Sequence, residues 1–194
     1  YLNMMQDIID KQINDLKESS FDNNESLHQY FNLLPAKHPA YNLYLDYLIT
    51  RDSSKKNKLE ICLKNMIEPG DINVNIMSKV DKVNRDEEGN LLDRKFSDAT
   101  AALRGFANSK IKSTLVLSAG MNPKLYNYLA ELSVFFPNEQ GELSKKVCLK
   151  VSDYRSAYIQ AKYLAKKGIW VSEFRVESGL NCGGHAFATE GFLL

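Results

Sequence analysis

The sequence predicts an α/β protein with a parallel sheet and a helical N-terminal region, and three observations lead there. From residue 71 onward, strand-like and helix-like segments alternate at short intervals, the signature of a parallel α/β architecture. One strand, Ser113-Thr114-Leu115-Val116-Leu117-Ser118, is apolar without a break in its centre, as expected of a strand buried on both faces. Residues 1–70 lack strand patterning and space their apolar residues for helices.

Taken in order, Leu2, Met5, Ile8, Ile9, Ile13 and Leu16 predict an amphipathic helix over 2–18. Ser19 to Glu25 is a polar break, and Asn24 or Ser26 can cap the next helix, whose stripe is Leu27, Tyr30, Phe31 and Leu34. Pro35 and Pro39 end it. Tyr41 to Ile49 and Leu59 to Ile67 predict two more helices, the basic run Lys55-Lys56-Asn57-Lys58 between them reads as a solvated loop, and Pro69-Gly70 closes the region. Ile72 to Met77 then predicts a strand, followed by a polar loop, Lys79 to Lys95, with a turn at Glu88-Gly89-Asn90. A helix over Ser97 to Ala107, capped by Ser97 or Asp98, leads to the apolar strand. Pro123 suits the first position of a helix running from Lys124 to Leu132. Strand Lys146 to Val151, helix Tyr154 to Lys166, a stop at Gly168 and strand Ile169 to Val176 complete the series.

Composition narrows the function classes. The 194 residues suit one domain, or one domain with a helical extension, and 44% hydrophobic with 25% charged residues is ordinary for a globular protein. Lys+Arg of 25 against Asp+Glu of 24 leaves a formal charge of +1, so the balance argues for neither nucleic acid nor an anionic membrane as partner. Cys62, Cys148 and Cys182 are widely spaced without a C-x-x-C, which disfavours a disulfide framework or zinc ribbon and predicts a reducing cytoplasm. No apolar run approaches the roughly 20 residues that cross a bilayer. The chain opens on Tyr1 and closes on Gly191-Phe192-Leu193-Leu194, which reads as a fragment of a longer protein.

In parallel α/β folds reactive groups sit in loops after the C-terminal ends of strands. Three clusters fall there: Asn75, Ser118-Ala119-Gly120, and the turn Gly179-Leu180-Asn181-Cys182-Gly183-Gly184-His185. Adjacent glycines let a ligand approach bare backbone, and a histidine behind them is placed to move a proton near neutral pH. The same turn also reads as a strand exit that simply needs two glycines. Cys182 with His185 could suggest a metal pair or a thiol dyad, but no further ligand cluster accompanies them, so no metal is expected and Cys182 reads as a small residue in a tight position. Asn75, on a strand that reads as buried, and Ser118 with Gly120 can hydrogen-bond a planar heterocycle or let it approach. His28 and His38 read as structural or solvent-exposed, and Tyr41, Tyr44 and Tyr47 as core.

Read together, Val74-Asn75-Ile76, Leu117-Ser118-Ala119-Gly120-Met121-Asn122-Pro123, Lys146-Val147-Cys148-Leu149-Lys150-Val151-Ser152, the helical series Ala157, Ala161, Ala165, Gly168, and the glycine turn resemble the nitronate monooxygenases and the related FMN-dependent enoyl-ACP reductases. The resemblance covers roughly residues 71 to 188. It implies part of a TIM (β/α)8 barrel spanning 71–194 behind a helical region 1–70, with FMN as cofactor and a small-molecule substrate. It implies that Asn75 contacts the flavin ring, that Gly183 lies against FMN, and that His185 is the catalytic base. Ser118, Gly120, Ser178 and Gly184 complete the implied cofactor-binding set. Asn181 stands where the family has Glu, Cys182 where it has Ala, and Ser178 where it has Gln. Two other readings stay open: a barrel enzyme without flavin, acting on a carbonyl or phosphorylated substrate, and a non-catalytic barrel domain that binds a partner through residues 1–70.

Overall fold

Three of the four helices in the first seventy residues start at side chains that bond nearby backbone. In the computed structural model, which describes residues 1–78, 81–118 and 120–177, the four are α1 (Leu2–Glu18), α2 (Glu25–Asn32), α3 (Pro39–Ile49) and α4 (Ser53–Asn65). Asn24 starts α2 by accepting from the Leu27 amide at 3.1 Å, and His38 starts α3 by accepting from that of Ala40 at 3.2 Å. Asp52 accepts from the amides of Ser54 and Lys55, at 2.8 and 3.3 Å, and so begins α4 six residues before the predicted Leu59. The run Lys55 to Lys58 is therefore helix, not loop.

The chain divides into two compact units, one spanning Asn3–Gly70 and the other beginning at Asp71. The first has an aromatic core: Phe21, Phe31, Tyr44 and Tyr47 are buried with Leu27, Ala40, Leu63 and Ile67. Ring centroids of Phe21 and Phe31 lie 5.6 Å apart and those of Phe31 and Tyr44 5.4 Å, both stacked. His28 is built into this core's edge. Its Nε2 lies 2.9 Å from the Phe21 carbonyl, which can only accept, so in the neutral ring Nδ1 accepts from the Tyr44 hydroxyl at 2.7 Å.

In the second unit β1 (Val74–Met77), α5 (Asp98–Ala107), β2 (Thr114–Ser118), α6 (Pro123–Leu129), β3 (Lys146–Val151), α7 (Tyr154–Ala165) and β4 (Glu173–Val176) follow one another. The strands lie in the order β1-β2-β3-β4, every neighbouring pair parallel. This is an α/β sheet with four strands among the described residues; the closed eight-stranded barrel implied by the resemblance is not among them. Register places Ile76, Leu115 and Leu117, then Val147, Leu149 and Val151, on one face, because residues two apart share a face. All six join one core with Leu103 and Phe106 of α5, Leu125, Tyr126 and Leu129 of α6, and Leu164 of α7. The three helices thus cover the same face of the sheet.

The last strand begins at Glu173 rather than at the predicted Ile169. Gly168, at φ +77°, turns the chain out of α7, and its amide and that of Ile169 bond to the carbonyls of Ala165 and Leu164 at 3.0 and 3.1 Å. A Cβ at Gly168 would meet the Phe136 ring at 3.1 Å. Ile169 then packs into the core before strand pairing starts.

Two buried polar groups fasten the layers. The Lys145 ammonium donates to the carbonyls of Ser109 and Ile111, at 3.0 and 2.6 Å, and lies 4.5 Å from the centre of the Phe106 ring. Burial pulls its pKa down. Tyr126 donates to Gln160 Oε1 at 2.5 Å, joining α6 to α7, and burial pushes its phenol well above the ordinary range. A phenol raised in the folded state contributes stability below its unfolded value, about 10, that is lost as pH rises beyond it. Chemical denaturation of the second unit should therefore weaken steeply above pH about 10, and Tyr126→Phe should flatten that slope by about one proton. An unchanged slope would remove Tyr126 from the account.

Candidate functional site: the sheet face away from the helices

The register that sends one set of side chains to the helices sends the alternate set to the opposite face. That set comprises Asn75 and Met77 on β1, Val116 and Ser118 on β2, Cys148 and Lys150 on β3, and Glu173 and Arg175 on β4. Glu177 extends it, since its amide continues the ladder to the Val151 carbonyl at 2.8 Å. Val116 and Cys148 are buried, yet neither belongs to the helix-side core.

This face is polar toward the C-terminal ends of the strands, and its charges are paired. Lys150 stands directly opposite Arg175, a repulsive neighbour. Each cation has its own carboxylate: Lys150 Nζ lies 2.6 Å from Glu177 Oε2, and Arg175 Nη2 lies 2.9 Å from Glu173 Oε1. The result is a zigzag of alternating sign over β3 and β4. Cys148 sits opposite Glu173; burial, then the nearby carboxylate, pushes its thiol pKa up, so it is held as the unreactive thiol.

The exits of β1 and β2 are tied by hydroxyl and amide groups. Ser78 Oγ reaches the carbonyls of Ser118 at 2.7 Å and Gly120 at 2.6 Å. Asn122 donates to the Ser78 carbonyl at 3.0 Å while its Oδ1 caps α6 through the amides of Lys124 and Leu125, both at 3.1 Å. Gly120, at φ +101°, makes the turn that brings its carbonyl to Ser78.

Of the residues singled out in the sequence, Ser118 and Gly120 lie at the exit of β2, whereas Asn75 sits earlier, in the second position of β1 opposite Val116, on the same face as Ser118. Asn75 is exposed rather than buried: among the described residues β1 is an edge strand, and Asn75 lies on the face away from the helices, where its side-chain amide makes no hydrogen bond. Ser118 is buried, and its hydroxyl donates to the Ile76 carbonyl at 3.3 Å. His185, Ser178, Gly183 and Gly184, with Gly179, Asn181 and Cys182 of the same turn, lie outside the described residues. Sequence reading missed Lys150, Glu173, Arg175 and Glu177; the signal was there as the period-two series Cys148-x-Lys150 and Glu173-x-Arg175-x-Glu177.

The face suits a flat, polar ring in part. Asn75 offers both a donor and an acceptor, and Gly120 keeps a side chain away from the β2 exit, whereas the Ser118 hydroxyl is occupied by the Ile76 carbonyl of the neighbouring strand. Among the described residues no group of three or more His, Cys, Asp or Glu could hold a metal ion, and no helix is long and apolar enough to cross a membrane. No protein-family model, no curated protein and no solved structure matches the chain.

The contrast between Ser78, at the β1 exit, and Asn75, within the strand, is measurable. Ser78→Ala removes a buried donor shared by two carbonyls and should cost about 1–3 kcal/mol in urea denaturation. Asn75→Ala, on an exposed and unbonded side chain, should stay within about 0.5 kcal/mol. Equal losses would mean that Asn75 is structural.

Proposed function

We propose that the chain belongs to an FMN-dependent oxidoreductase, nitronate monooxygenase-like, that acts on a small organic substrate on part of an aldolase-type barrel. The supporting observation is the sheet itself: four parallel strands in chain order, with all three intervening helices on one face and a polar opposite face. An open doubly wound sheet reverses its strand order and carries helices on both faces; a barrel does neither. In this reading the face away from the helices becomes barrel interior, and its charge-neutral pairs suit enclosure.

FMN, when bound, supplies electron transfer at its N5 position. Asn75 would hold the ring edge through its free amide, with Gly120 leaving room at the neighbouring strand exit and Ser118 shaping that exit through its backbone bond. Ser178, Gly183 and Gly184 would present backbone to the cofactor, and His185 would move the substrate proton. Two thiols recorded as free, Cys62 and Cys148, accord with a cytoplasmic setting.

The zigzag of Glu173, Arg175, Lys150 and Glu177 favours one second reading. A flavin-free barrel enzyme could use these same groups to orient a carbonyl or phosphorylated substrate while His185 transfers a proton. Purified full-length protein should be yellow, with an absorbance band near ~450 nm that belongs to the flavin. A colourless protein that gains no such band on incubation with FMN would transfer the case to the second reading. Given the band, His185→Asn should keep flavin and fold but lose roughly 10²–10⁴-fold in turnover. Asn75→Ala should release flavin on dialysis without loss of fold.

A further inference from the structure

The β1–α5 connection ends against α6, and the two enclose a cavity of about 340 Å³ whose lining includes none of the polar-face residues. Its size is at the small end of metabolite pockets. The connection is long, as functional loops often are, and it is held in place. Asn84 Nδ2 donates to the Phe96 carbonyl at 2.8 Å and to Asp98 Oδ1 at 2.9 Å, and the Asp98 amide donates to the Lys82 carbonyl at 3.1 Å.

Acceptors and donors in the lining are spent unequally. Asp81 uses both carboxylate oxygens, on the Ala99 amide and the Ser97 hydroxyl, each at 3.1 Å. Asp93 accepts from the Lys95 amide at 2.9 Å. By contrast the side chains of Arg94 and Lys124 make no hydrogen bond or ion pair among the described residues. The Tyr128 oxygen accepts from Arg104 at 3.3 Å, which leaves its own hydrogen to donate. Asn127 accepts from the Tyr163 hydroxyl through Oδ1 at 2.8 Å, which leaves its NH₂ group. Glu131 also lines the cavity, but it lies beyond the C-terminal end of α6 whereas Lys124 is in the first turn. Lys95, the third cation of the lining, has its ammonium 5.2 Å from the centre of the Phe96 ring, so three cations and two neutral donors face the Glu131 carboxylate and one oxygen of Asp93.

We propose that this cavity binds a compact dianion with several acceptor oxygens, a phosphate group or a dicarboxylate, held by Arg94 and Lys124 with Tyr128 and Asn127 donating. Guanidinium and ammonium groups supply charge-assisted bonds to such oxygens, and the phenol and amide fix orientation. The site is independent of flavin, so its presence or absence leaves the absorbance test unaffected.

The test is calorimetric titration of the whole chain with sodium phosphate and, separately, sodium succinate at constant ionic strength. Saturable binding of at least one is expected, and which one saturates identifies the anion class. Arg94→Ala and Lys124→Ala should each weaken it roughly tenfold, the loss of one charge-assisted bond. Lys162→Ala on α7, whose ammonium lies 5.6 Å from the centre of the Tyr158 ring, should leave it unchanged. Circular dichroism of each variant checks that the fold persists. The proposal is overturned if neither anion saturates, if both cavity variants bind as the parent does, or if Lys162→Ala loses as much as they do.

Discussion

Strand β2 has water on neither face, and the second unit is arranged around that fact. Leu115 and Leu117 point into the helix-side core while Val116 and Ser118 are equally buried on the other side. Each such apolar side chain contributes about 1.5–3 kcal/mol by leaving water, but only where both flanks are supplied. The flanks are β1 and β3, which pair with β2 along its length and satisfy the backbone groups that burial would otherwise leave unbonded. Helices α5 and α6, which lead into and out of β2, then cover one face. Among the described residues of the second unit, no helix packs on the other face.

On that second face, electrostatics rather than packing sets the pattern. Lys150 and Arg175 are forced side by side by register, and each is offset by a glutamate, Glu177 just after β4 and Glu173 at its start. Partly exposed pairs of this kind contribute little individually, about 0–1 kcal/mol. Their effect is to let two cations occupy neighbouring strands above the buried Cys148 without repelling the strands apart. The same pairing keeps the face near neutrality, a condition for admitting an uncharged ring or closing over it.

Most of this architecture was legible because periodicity reports burial. The apolar run at Leu115 to Leu117 announced a strand without a wet face, and Asn24, Ser97 and Pro123 announced helix starts that the backbone adopts. The failures have physical causes. The first turn of α4 contains no apolar residue, so only the cap at Asp52 marks it. Ile169 and Val171 look like strand residues because they are buried, yet they pack as irregular chain before pairing begins. Asn75 looked buried because a strand's own sequence does not say whether it lies at an edge. The polar zigzag was hidden for another reason: it joins β3 and β4, and neither strand alone states the register. The turn that carries the proposed base, His185, and the glycine pair follows Glu177 and lies outside the described residues.

Gly168 combines two requirements that no other residue type meets together. Its φ of +77° admits asparagine at modest cost, but any Cβ there approaches Phe136 at 3.1 Å. Shrinking Phe136 would make room without changing the dihedral, and would open a void beside the core. A change at either position therefore leaves the other's problem standing, and any side chain at 168 requires the Phe136 ring to give way by a few tenths of an ångström. Among descendants of this fold the helix-to-strand link should hold its glycine even while the surface lysines around it, Lys166 and Lys167, drift freely.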